Sequence, residues 1–258
     1  MKISVITVCR NAERTIVAAL RSVVEQTHPD IEHLVIDGLS TDGTVDLVRA
    51  NAERIARVIS EQDGGIYEAM NKGIGLATGD FTCFLNADDM YASPAALATL
   101  VEALQASSAD AVYADLHYVQ RENPSRPVRR WTSQPFQRGL FATGWAPAHP
   151  TFLVRTEILR ELGGFDTHYR LAADFDLMCR AFEVRCITNV YVPNAIILMR
   201  GGGVTNRSLR NIVQQNREIL ASLRANGFTP NVAAFALRKI TSRLRQYIQA
   251  NNSRKGAA

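Results

Sequence analysis

Two adjacent carboxylates follow a short apolar segment in the first half of the chain. Residues 81–85 predict a buried strand, and it is followed at once by Asn86-Ala87-Asp88-Asp89, here called the NADD motif. Ligands of open α/β sheets bind outside the carboxyl ends of the strands, so these acids are expected to face a cleft. Because crowded carboxylates repel one another, the motif predicts a Mg²⁺ or Mn²⁺ ion that also binds substrate phosphates. The alternative is a polar turn before a helix that begins near Ser93-Pro94, and the motif alone favours neither interpretation.

Two further acids are predicted to reach the same edge of the sheet. Asp37 ends a predicted strand at residues 33–36, and Asp63 lies on the loop after a short strand at residues 58–60. Parallel strands end at one edge, so both acids are expected to line a pocket with the NADD motif. No GxGxxG follows the first strand and no GxxxxGK[ST] occurs, so acids and a metal, rather than a glycine loop, would hold a nucleotide.

The elements that must position these acids alternate between strand and helix. Strand patterns occupy residues 3–8, 33–36, 58–60 and 81–85, and helical patterns occupy residues 11–26, 41–48 and 66–76. Such alternation predicts βαβ units and a mostly parallel sheet with helices on both faces.

The second half of the chain is less regular. Strands are predicted at 111–115, 151–155, 190–192 and 196–199, helices at 157–162 and 174–181, and a polar hairpin or excursion at 116–128. The long segment 131–149 has no periodicity, and a loop of that length in a compact domain usually serves as a lid or binding loop.

Composition indicates an ordinary globular protein. A length of 258 residues with 47% hydrophobic residues fits one domain with an appendage or two small domains. The chain enters a strand pattern at its first residues and has no apolar run of transmembrane length, so neither a signal peptide nor a membrane span is expected. The four scattered cysteines predict reduced thiols in a cytoplasmic protein.

Charge is concentrated at the carboxyl end. From Arg207 onward there are ten Lys and Arg against one acid, Glu218, although the whole chain carries only +4. Two amphipathic helices are predicted there, at residues 206–226 and 231–250, after a flexible joint at residues 201–203. This basic tail predicts contact with an anionic membrane surface or nucleic acid, and the alternative is a solvated helical face.

The second of these helices has a regular apolar face. Its apolar residues recur at steps of three and four: Leu237, Ile240, Leu244, Tyr247 and Ile248. A helix of this kind can lie in a membrane interface, and it can equally pack on the enzyme's own body or on a second subunit.

Several ordered motifs resemble one enzyme family. The segments ISVITVCRNAERTI, HLVIDGLSTDGT and DGGIYEAMNKGIGLATGDFTCFLNADD resemble the nucleotide-sugar half of family 2 glycosyltransferases of the GT-A type. HPTFLVR, GGFD and AADFDLMCR resemble the acceptor side of that family. The resemblance covers residues 1–205, and it implies a donor-binding half at 1–92, an acceptor and catalytic half at 93–205, and an appended helical tail at 206–258.

The resemblance also implies roles for single residues. Asp37 would contact the nucleobase, Asp88 would bind the metal, and Asp174 would act as the general base. Asn86 stands where the family has the first acid of its DxD motif, and Ala173 stands where it has Glu, which puts metal affinity in doubt more than the class. The alternative interpretation of Asp174 is an N-cap of its own helix.

Other residues are expected to contact the substrates. The donor site is predicted to contain Thr7, Asn11, Asp37, Asp63, Asn71, Lys72, Asn86, Ala87 and Asp88. His149 and Trp145 are candidates for acceptor binding, with a structural hydrogen-bonding role as the alternative for His149. The alternative interpretation of Asn71 and Lys72 is that they lie on the surface of a helix. The loop aromatics Trp131, Phe136, Phe141 and Trp145 are predicted to stack on sugar rings or to pin the loop to the body.

The implied function is inverting, metal-dependent transfer of a sugar from a nucleotide donor to a saccharide or lipid-linked saccharide. Such an enzyme would be cytoplasmic, would serve bacterial surface-polysaccharide assembly, and would lie peripherally at the inner membrane face, either alone or as a homo-oligomer, without nucleic acid. The alternative is a non-catalytic nucleotide-sugar or nucleic-acid binding protein, which Asn86 and the basic tail favour. Asp88 and Asp174 argue against it, because a binding protein does not need a base.

Overall fold

The computed structural model describes residues 1–52, 55–124, 126–202, 208–233, 235, 237–239 and 241. The strands are β1 (Ile3–Cys9), β2 (Ile31–Asp37), β3 (Ile55–Ser60), β4 (Phe81–Asn86), β5 (Asp89–Tyr91), β6 (Ala111–Val119), β7 (Pro127–Trp131), β8 (Leu153–Arg155) and β9 (Asn189–Arg200). The helices are α1 (Ile16–Val24), α2 (Thr44–Ala50), α3 (Ile66–Leu76), α4 (Ala96–Ser107), α5 (Thr156–Glu161), α6 (Ala173–Cys179) and α7 (Leu209–Ala225). The described residues form one sheet in the order β3-β2-β1-β4-β8-β6-β9-β5, with β7 paired to β6.

The first four strands are parallel, as the βαβ alternation predicted. β1 lies between β2 and β4, with Cys9 opposite Asp37 and Val8 opposite Asn86. Asp37 in turn lies opposite Ser60 of β3. These registers bring the carboxyl ends of four strands to one edge, where ligands of such sheets bind.

The rest of the sheet is mostly antiparallel. β8 pairs antiparallel with β4 and β6, and β5 pairs antiparallel with β9, whereas β6 and β9 run parallel. The predicted hairpin at 116–128 is confirmed as β6 and β7, but it extends to Trp131, which therefore lies in a strand and not in the long loop.

Three local predictions were wrong. The strands expected at 190–192 and 196–199 are one strand, β9, because irregular registers around Asp115 accommodate Pro193 within the ladder. The first helix begins at Ile16 rather than near Asn11, whose φ of 52° is left-handed. Asp89 does not lie in a turn but begins the short strand β5.

Apolar side chains pack on both faces of the sheet. In β1, Val5 packs with Leu85 and Leu100 on one face, whereas Ile6 packs with Phe84 on the other. This alternation is the two-residue period of a strand that is covered by helices on both sides. The core therefore holds the strands, and their polar ends, in fixed positions.

The beginning of the basic tail packs into this core. Ile219 and Leu223 of α7 are buried in the cluster that contains Phe84, and so is Phe235. A Cβ added at Gly144 would lie 2.5 Å from ring carbons of Phe235, so the two are in close contact. These three residues therefore pack on the enzyme's own body. The apolar face predicted for residues 231–250 has one described member, Leu237, which is 64% exposed, so the choice between its alternatives stays open. Ile240, Leu244, Tyr247 and Ile248 lie outside the described residues, and the division at residues 205 and 206 stays a prediction.

The sequence predicted reduced cysteines and no membrane span. Cys9, Cys83 and Cys179 are buried, Cys186 is exposed, and all four are free thiols. Throughout the described ranges, no helix combines the length and the apolar character that crossing a membrane requires.

Candidate active site

Asp37 is an ionised, hydrogen-bonded carboxylate at the end of β2. It accepts hydrogen bonds from the Ser40 amide at 3.0 Å, from the Ser40 hydroxyl, and from the Ser60 hydroxyl at 2.6 Å. Burial acts to raise the pKa of Asp37, but the hydrogen bonds from Ser40 and Ser60 outweigh it and hold this pKa below its ordinary value. The carboxylate is therefore charged and held in one orientation.

Asp63 lies beside the same strand end. A Cβ added at Gly38 would lie 2.5 Å from Oδ2 of Asp63, so the absence of a side chain at Gly38 allows this carboxylate to approach. Burial raises the pKa of the Cys9 thiol, and the charges of Asp37, Asp42 and Asp63 raise it further. The structure thus brings Asp37 and Asp63 together at the ends of β1 and β2.

Thr7 and Asn11 make internal contacts near this edge. The Thr7 hydroxyl is buried and hydrogen-bonds Nε2 of the buried His33 at 2.9 Å. Oδ1 of Asn11 accepts from the Thr41 amide at 2.9 Å, and the Asn11 amide donates to the Ser40 hydroxyl at 2.8 Å. Asn11 thereby links the loop after β1 to the loop after β2, whereas Thr7 lies in the interior. Their contacts with a donor stay predictions.

Asn71 and Lys72 are engaged by other parts of the protein. The Asn71 side-chain amide donates to the Phe165 carbonyl and accepts from the Phe165 amide, both at 2.8 Å. Lys72 pairs with Glu61 at 3.1 Å and Glu68 at 3.7 Å, and donates to the Gln62 carbonyl. These bonds support a structural role for Asn71 and a surface ion-pair role for Lys72, the alternative that the helical pattern also allowed.

The NADD motif combines a partly exposed carboxylate with a buried one. Asp88 is partly exposed, and Asp89 is buried with its Oδ2 accepting from the Asn86 side-chain amide at 3.1 Å. Burial, together with the charge of Asp88, raises the pKa of Asp89 well above its usual range. Ala87 is buried and packs with Cys9 in the core.

A basic residue that sequence reasoning missed supports this motif. Arg200, at the end of β9, is buried and donates from Nη1 to the Asp88 carbonyl at 2.9 Å. The only local signal is an arginine between a strand pattern and a glycine run. Arg200 therefore fixes the backbone of the motif from an element 112 positions away in the chain.

The donor atoms of the motif suit a hard cation. Oδ1 of Asn86 and Oδ1 of Asp89 are buried and have no hydrogen-bond partner among the described residues. Amide and carboxyl oxygens are among the ligands that Mg²⁺ and Mn²⁺ prefer. The described part of the chain holds no group of three or more His, Cys, Asp or Glu placed to bind a metal. A metal held by Asp88 together with substrate oxygens stays a prediction.

Asp174 carries a carboxylate at the start of α6 that accepts two hydrogen bonds. It is the second residue of the helix, and Ala172 occupies the N-cap without a side-chain cap bond, so the N-cap interpretation is wrong. Its Oδ1 accepts from the Tyr67 hydroxyl at 3.2 Å and from the Phe175 amide at 2.9 Å. Burial and the charge of Asp174 raise the pKa of Tyr67 well above its usual value, so Tyr67 remains a hydrogen-bond donor. Sequence reasoning missed Tyr67, which has no local motif.

His149 is buried against the strand that carries the NADD motif, and it feels the charge of Asp174. It is buried, stacks on Phe84 with ring centroids 5.2 Å apart, and contacts Phe165 edge-on at 5.4 Å. Burial lowers the pKa of His149, and the nearby charge of Asp174 only partly opposes this. Its Nε2 is buried without a hydrogen-bond partner among the described residues. A neutral imidazole thus stacks on Phe84, which precedes Asn86 by two residues, and the charge of Asp174 acts on it.

The loop aromatics form a packed cluster. Trp145, Phe136 and Phe141 contact one another with ring centroids 5.6 to 6.2 Å apart, and Trp145 also contacts Tyr113 at 6.1 Å. These contacts support the interpretation that the aromatics pin the loop to the body. Trp131 lies apart and stacks on Tyr118. Acceptor binding by Trp145, which is partly exposed, stays a prediction.

A helix-flanked sheet with acids at the ends of its parallel strands is the arrangement of a GT-A-like fold. The family model described as "Glycosyl transferase family 2" matches residues 4–163. The chain therefore belongs to glycosyl transferase family 2 and is a glycosyltransferase.

Related sequences and structures agree with this assignment. A PGL/p-HBAD biosynthesis glycosyltransferase of Mycobacterium bovis is 30% identical over 190 residues, which cover 72% of this chain and 70% of the relative. S. aureus TarS 1–349 in complex with UDP matches 93% of this chain and 72% of its own, with a TM-score of 0.68 and 19% identity. The mannosyltransferase PcManGT of Pyrobaculum calidifontis, in complex with GDP-Man and Mn²⁺, matches 97% of this chain and 82% of its own, with a TM-score of 0.62 and 20% identity. The two structures establish the GT-A-like fold.

Proposed function

We propose that this glycosyltransferase transfers a sugar from a nucleoside-diphosphate donor to an acceptor hydroxyl with inversion at the anomeric carbon. One observation carries the proposal. The Asp174 carboxylate is held by the Tyr67 hydroxyl at 3.2 Å, and the Tyr67 ring stacks on Phe165, which contacts Phe84 of the strand that ends in the NADD motif. A candidate base and a candidate phosphate-side motif are therefore linked through one packed cluster.

Asp174 would remove the proton from the acceptor hydroxyl. That hydroxyl is a poor nucleophile near neutral pH, and a carboxylate within hydrogen-bond reach takes its proton as the new bond forms. A single base and in-line attack imply one displacement, and hence inversion. Tyr67 would orient the carboxylate, and the buried neutral His149 would help to exclude water from its inner side.

The strand ends would hold the donor. Asp37, rigid and charged, would contact the nucleoside part, and Asp63 lies close enough to line the same pocket. A Mg²⁺ or Mn²⁺ ion, bound through Asp88 together with the diphosphate, would offset the negative charge of the leaving group. Arg200 would keep Asp88 in place by binding its carbonyl.

A lipid-linked saccharide of bacterial surface-polysaccharide assembly is the proposed acceptor. The basic carboxyl-terminal segment supports this, because it would bring the enzyme to the inner, anionic face of a membrane from the cytoplasm. A monomer and a homo-oligomer are both compatible with such a role. A purely binding function is not favoured, since a binding protein has no use for an oriented base.

The function is tested with a panel of nucleotide sugars in the presence of Mg²⁺ or Mn²⁺. We expect one nucleoside-diphosphate sugar to raise the melting temperature and to be hydrolysed slowly, because water can replace a missing acceptor. Monosaccharide phosphates without the nucleoside serve as controls and should have no effect. Neither stabilisation nor hydrolysis with any member of the panel would count against the proposal.

Removal of the Tyr67 hydroxyl is expected to slow transfer without weakening donor binding. Tyr67→Phe removes the hydrogen bond to Asp174, and a bond to a charged group of this kind corresponds to about tenfold in kcat. The KM for the donor should stay unchanged.

Tyr191→Phe is the matched control for this change. It removes another tyrosine–aspartate bond, from Tyr191 to Asp115 at 2.8 Å, on the β6–β9 pair. The control should leave kcat and the KM for the donor unchanged. If Tyr67→Phe keeps the wild-type kcat, or changes only the KM, Tyr67 does not orient the base.

A further inference from the structure

One face of α7 is exposed and carries both apolar and basic side chains. Leu209 and Val213 are 83% and 50% exposed, which is unusual for large apolar residues of a helix that packs on a core. The exposed residues of α7 are Leu209, Arg210, Val213, Arg217, Ala221, Arg224 and Ala225, and the first six are here called the α7 arginine face.

These residues form one continuous stripe. With 3.6 residues per turn they fall within an arc of about 120° on the helix, along roughly 22 Å of its length. The buried residues Ile219, Ser222 and Leu223 lie on the opposite side. The stripe is therefore the outward surface of a helix whose inner side is already covered.

All charged residues of the stripe are arginines. Glu218, the only acid from Arg207 onward, points away from it and accepts from the Leu171 amide at 2.7 Å and the Gln214 side chain at 3.0 Å. Among the described residues, Arg210, Arg217 and Arg224 form no salt bridge. Their charge is consequently available to an external anion.

We propose that the α7 arginine face binds the surface of an anionic phospholipid membrane. Leu209 and Val213 would enter the interface between head groups and acyl chains, and the three arginines would contact lipid phosphates, which is the arrangement of an interfacial helix. A second copy of this chain is a poorer partner, because a two-fold contact would place the arginine stripe against itself. Nucleic acid would leave the two exposed apolar side chains without a partner.

The α7 arginine face has a fixed position relative to Asp174. Ser222 and Asn226 both donate to the Asp176 carboxylate, at 2.7 and 3.1 Å, and thereby tie α7 to the helix that carries Asp174. Glu218 makes a second link, to the loop before that helix. A membrane bound to α7 would thus hold the base at a constant distance from the lipid surface. This use rests on the proposed transfer to a lipid-linked acceptor, whereas the lipid binding itself does not.

The test is sedimentation of the full-length protein with phosphatidylcholine vesicles that contain or lack phosphatidylglycerol. The wild type should bind only the anionic vesicles, and salt should weaken the binding. Arg210→Gln, Arg217→Gln and Arg224→Gln together should weaken it about a hundredfold, since each basic residue near an anionic surface contributes about fivefold. Leu209→Ser with Val213→Ser should also weaken it, with less dependence on salt.

A matched triple variant controls for net charge. Arg21→Gln, Arg49→Gln and Arg57→Gln remove three exposed arginines from α1, α2 and β3, and this variant should bind like the wild type. Arg243→Gln with Arg245→Gln tests the predicted helix at residues 231–250 in the same assay. The proposal is overturned if the wild type ignores anionic vesicles, if both triple variants lose binding equally, or if only the change at 243 and 245 abolishes it.

Hydrolysis of a soluble nucleotide sugar is measured on the same samples. The α7 variants should keep this activity and their melting temperature, which separates membrane binding from catalysis and from folding. Vesicle binding without any hydrolysis would contradict the proposed transferase mechanism while leaving the α7 surface intact. Hydrolysis without vesicle binding would contradict the proposed membrane contact of α7 and leave the transferase mechanism intact.

Discussion

Asp174→Asn is expected to lower the rate of sugar transfer by about 10²–10⁴-fold while donor affinity stays unchanged. The substitution keeps the shape of the side chain and the oxygen that accepts from Tyr67 and Phe175. It removes only the ability to take a proton, and loss of a general base typically costs this factor in rate. The measurement is single-turnover transfer at saturating donor, together with a donor titration.

Asp46→Asn is the matched control, because Asp46 is exposed on α2, outside the motifs of the site, and lies 3.9 Å from Arg49. It should transfer sugar at the wild-type rate. If Asp174→Asn also transfers at nearly that rate with unchanged donor affinity, Asp174 is not the base. A loss of donor affinity in step with rate would instead make Asp174 part of the donor site.

Asp88→Ala is expected to abolish the metal-dependent part of donor binding, a loss of at least about tenfold to a hundredfold. Asp88 is the partly exposed acid of the NADD motif, and a cation shared with the diphosphate would lose its charged protein ligand. Asn86→Asp should preserve or tighten donor binding in the presence of metal, because it turns an amide oxygen without a hydrogen-bond partner among the described residues into a charged carboxylate oxygen. Calorimetric titration of the donor, with metal and with EDTA, measures both effects.

Asp46→Ala controls for the loss of one carboxylate, since Asp46 is exposed on α2 and makes only a long contact with Arg49 at 3.9 Å. It should bind donor like the wild type in both conditions. Equal donor affinity of the wild-type protein with metal and with EDTA would show that the NADD motif is not a metal site. In that case Asp88 would have to act through hydrogen bonds alone.

Much of the fold could be predicted because its signals are local. The apolar runs that became β1, β2 and β4, and the helical periods of α1 and α3, reflect burial on both faces of a parallel sheet. Pro193 interrupts the strand pattern in the sequence, yet β9 is continuous. Proline has no backbone N–H to donate, and a bulge in the ladder leaves Pro193 unpaired. The strand β5 was missed because its three residues follow a polar turn and gain their pairing only from β9.

The candidate site divides in the same way. The acids at the ends of β2 and β4, and the carboxylate of Asp174, were visible in the sequence because each follows a recognisable local pattern. Their partners were not visible. Tyr67 reaches Asp174 across 107 positions, Arg200 reaches Asp88 across 112, and Asn71 reaches Phe165 across 94.

The sequence alone thus determined the family, the order of the elements and the residue types at the strand ends. Only the tertiary structure decided which neighbours orient those residues, and it showed Asn71 bonded to Phe165 and Lys72 in surface ion pairs. The physical reason is range. Periodicity and turn chemistry act over a few residues, whereas hydrogen bonds between distant segments depend on how packed elements meet, and no local pattern encodes that.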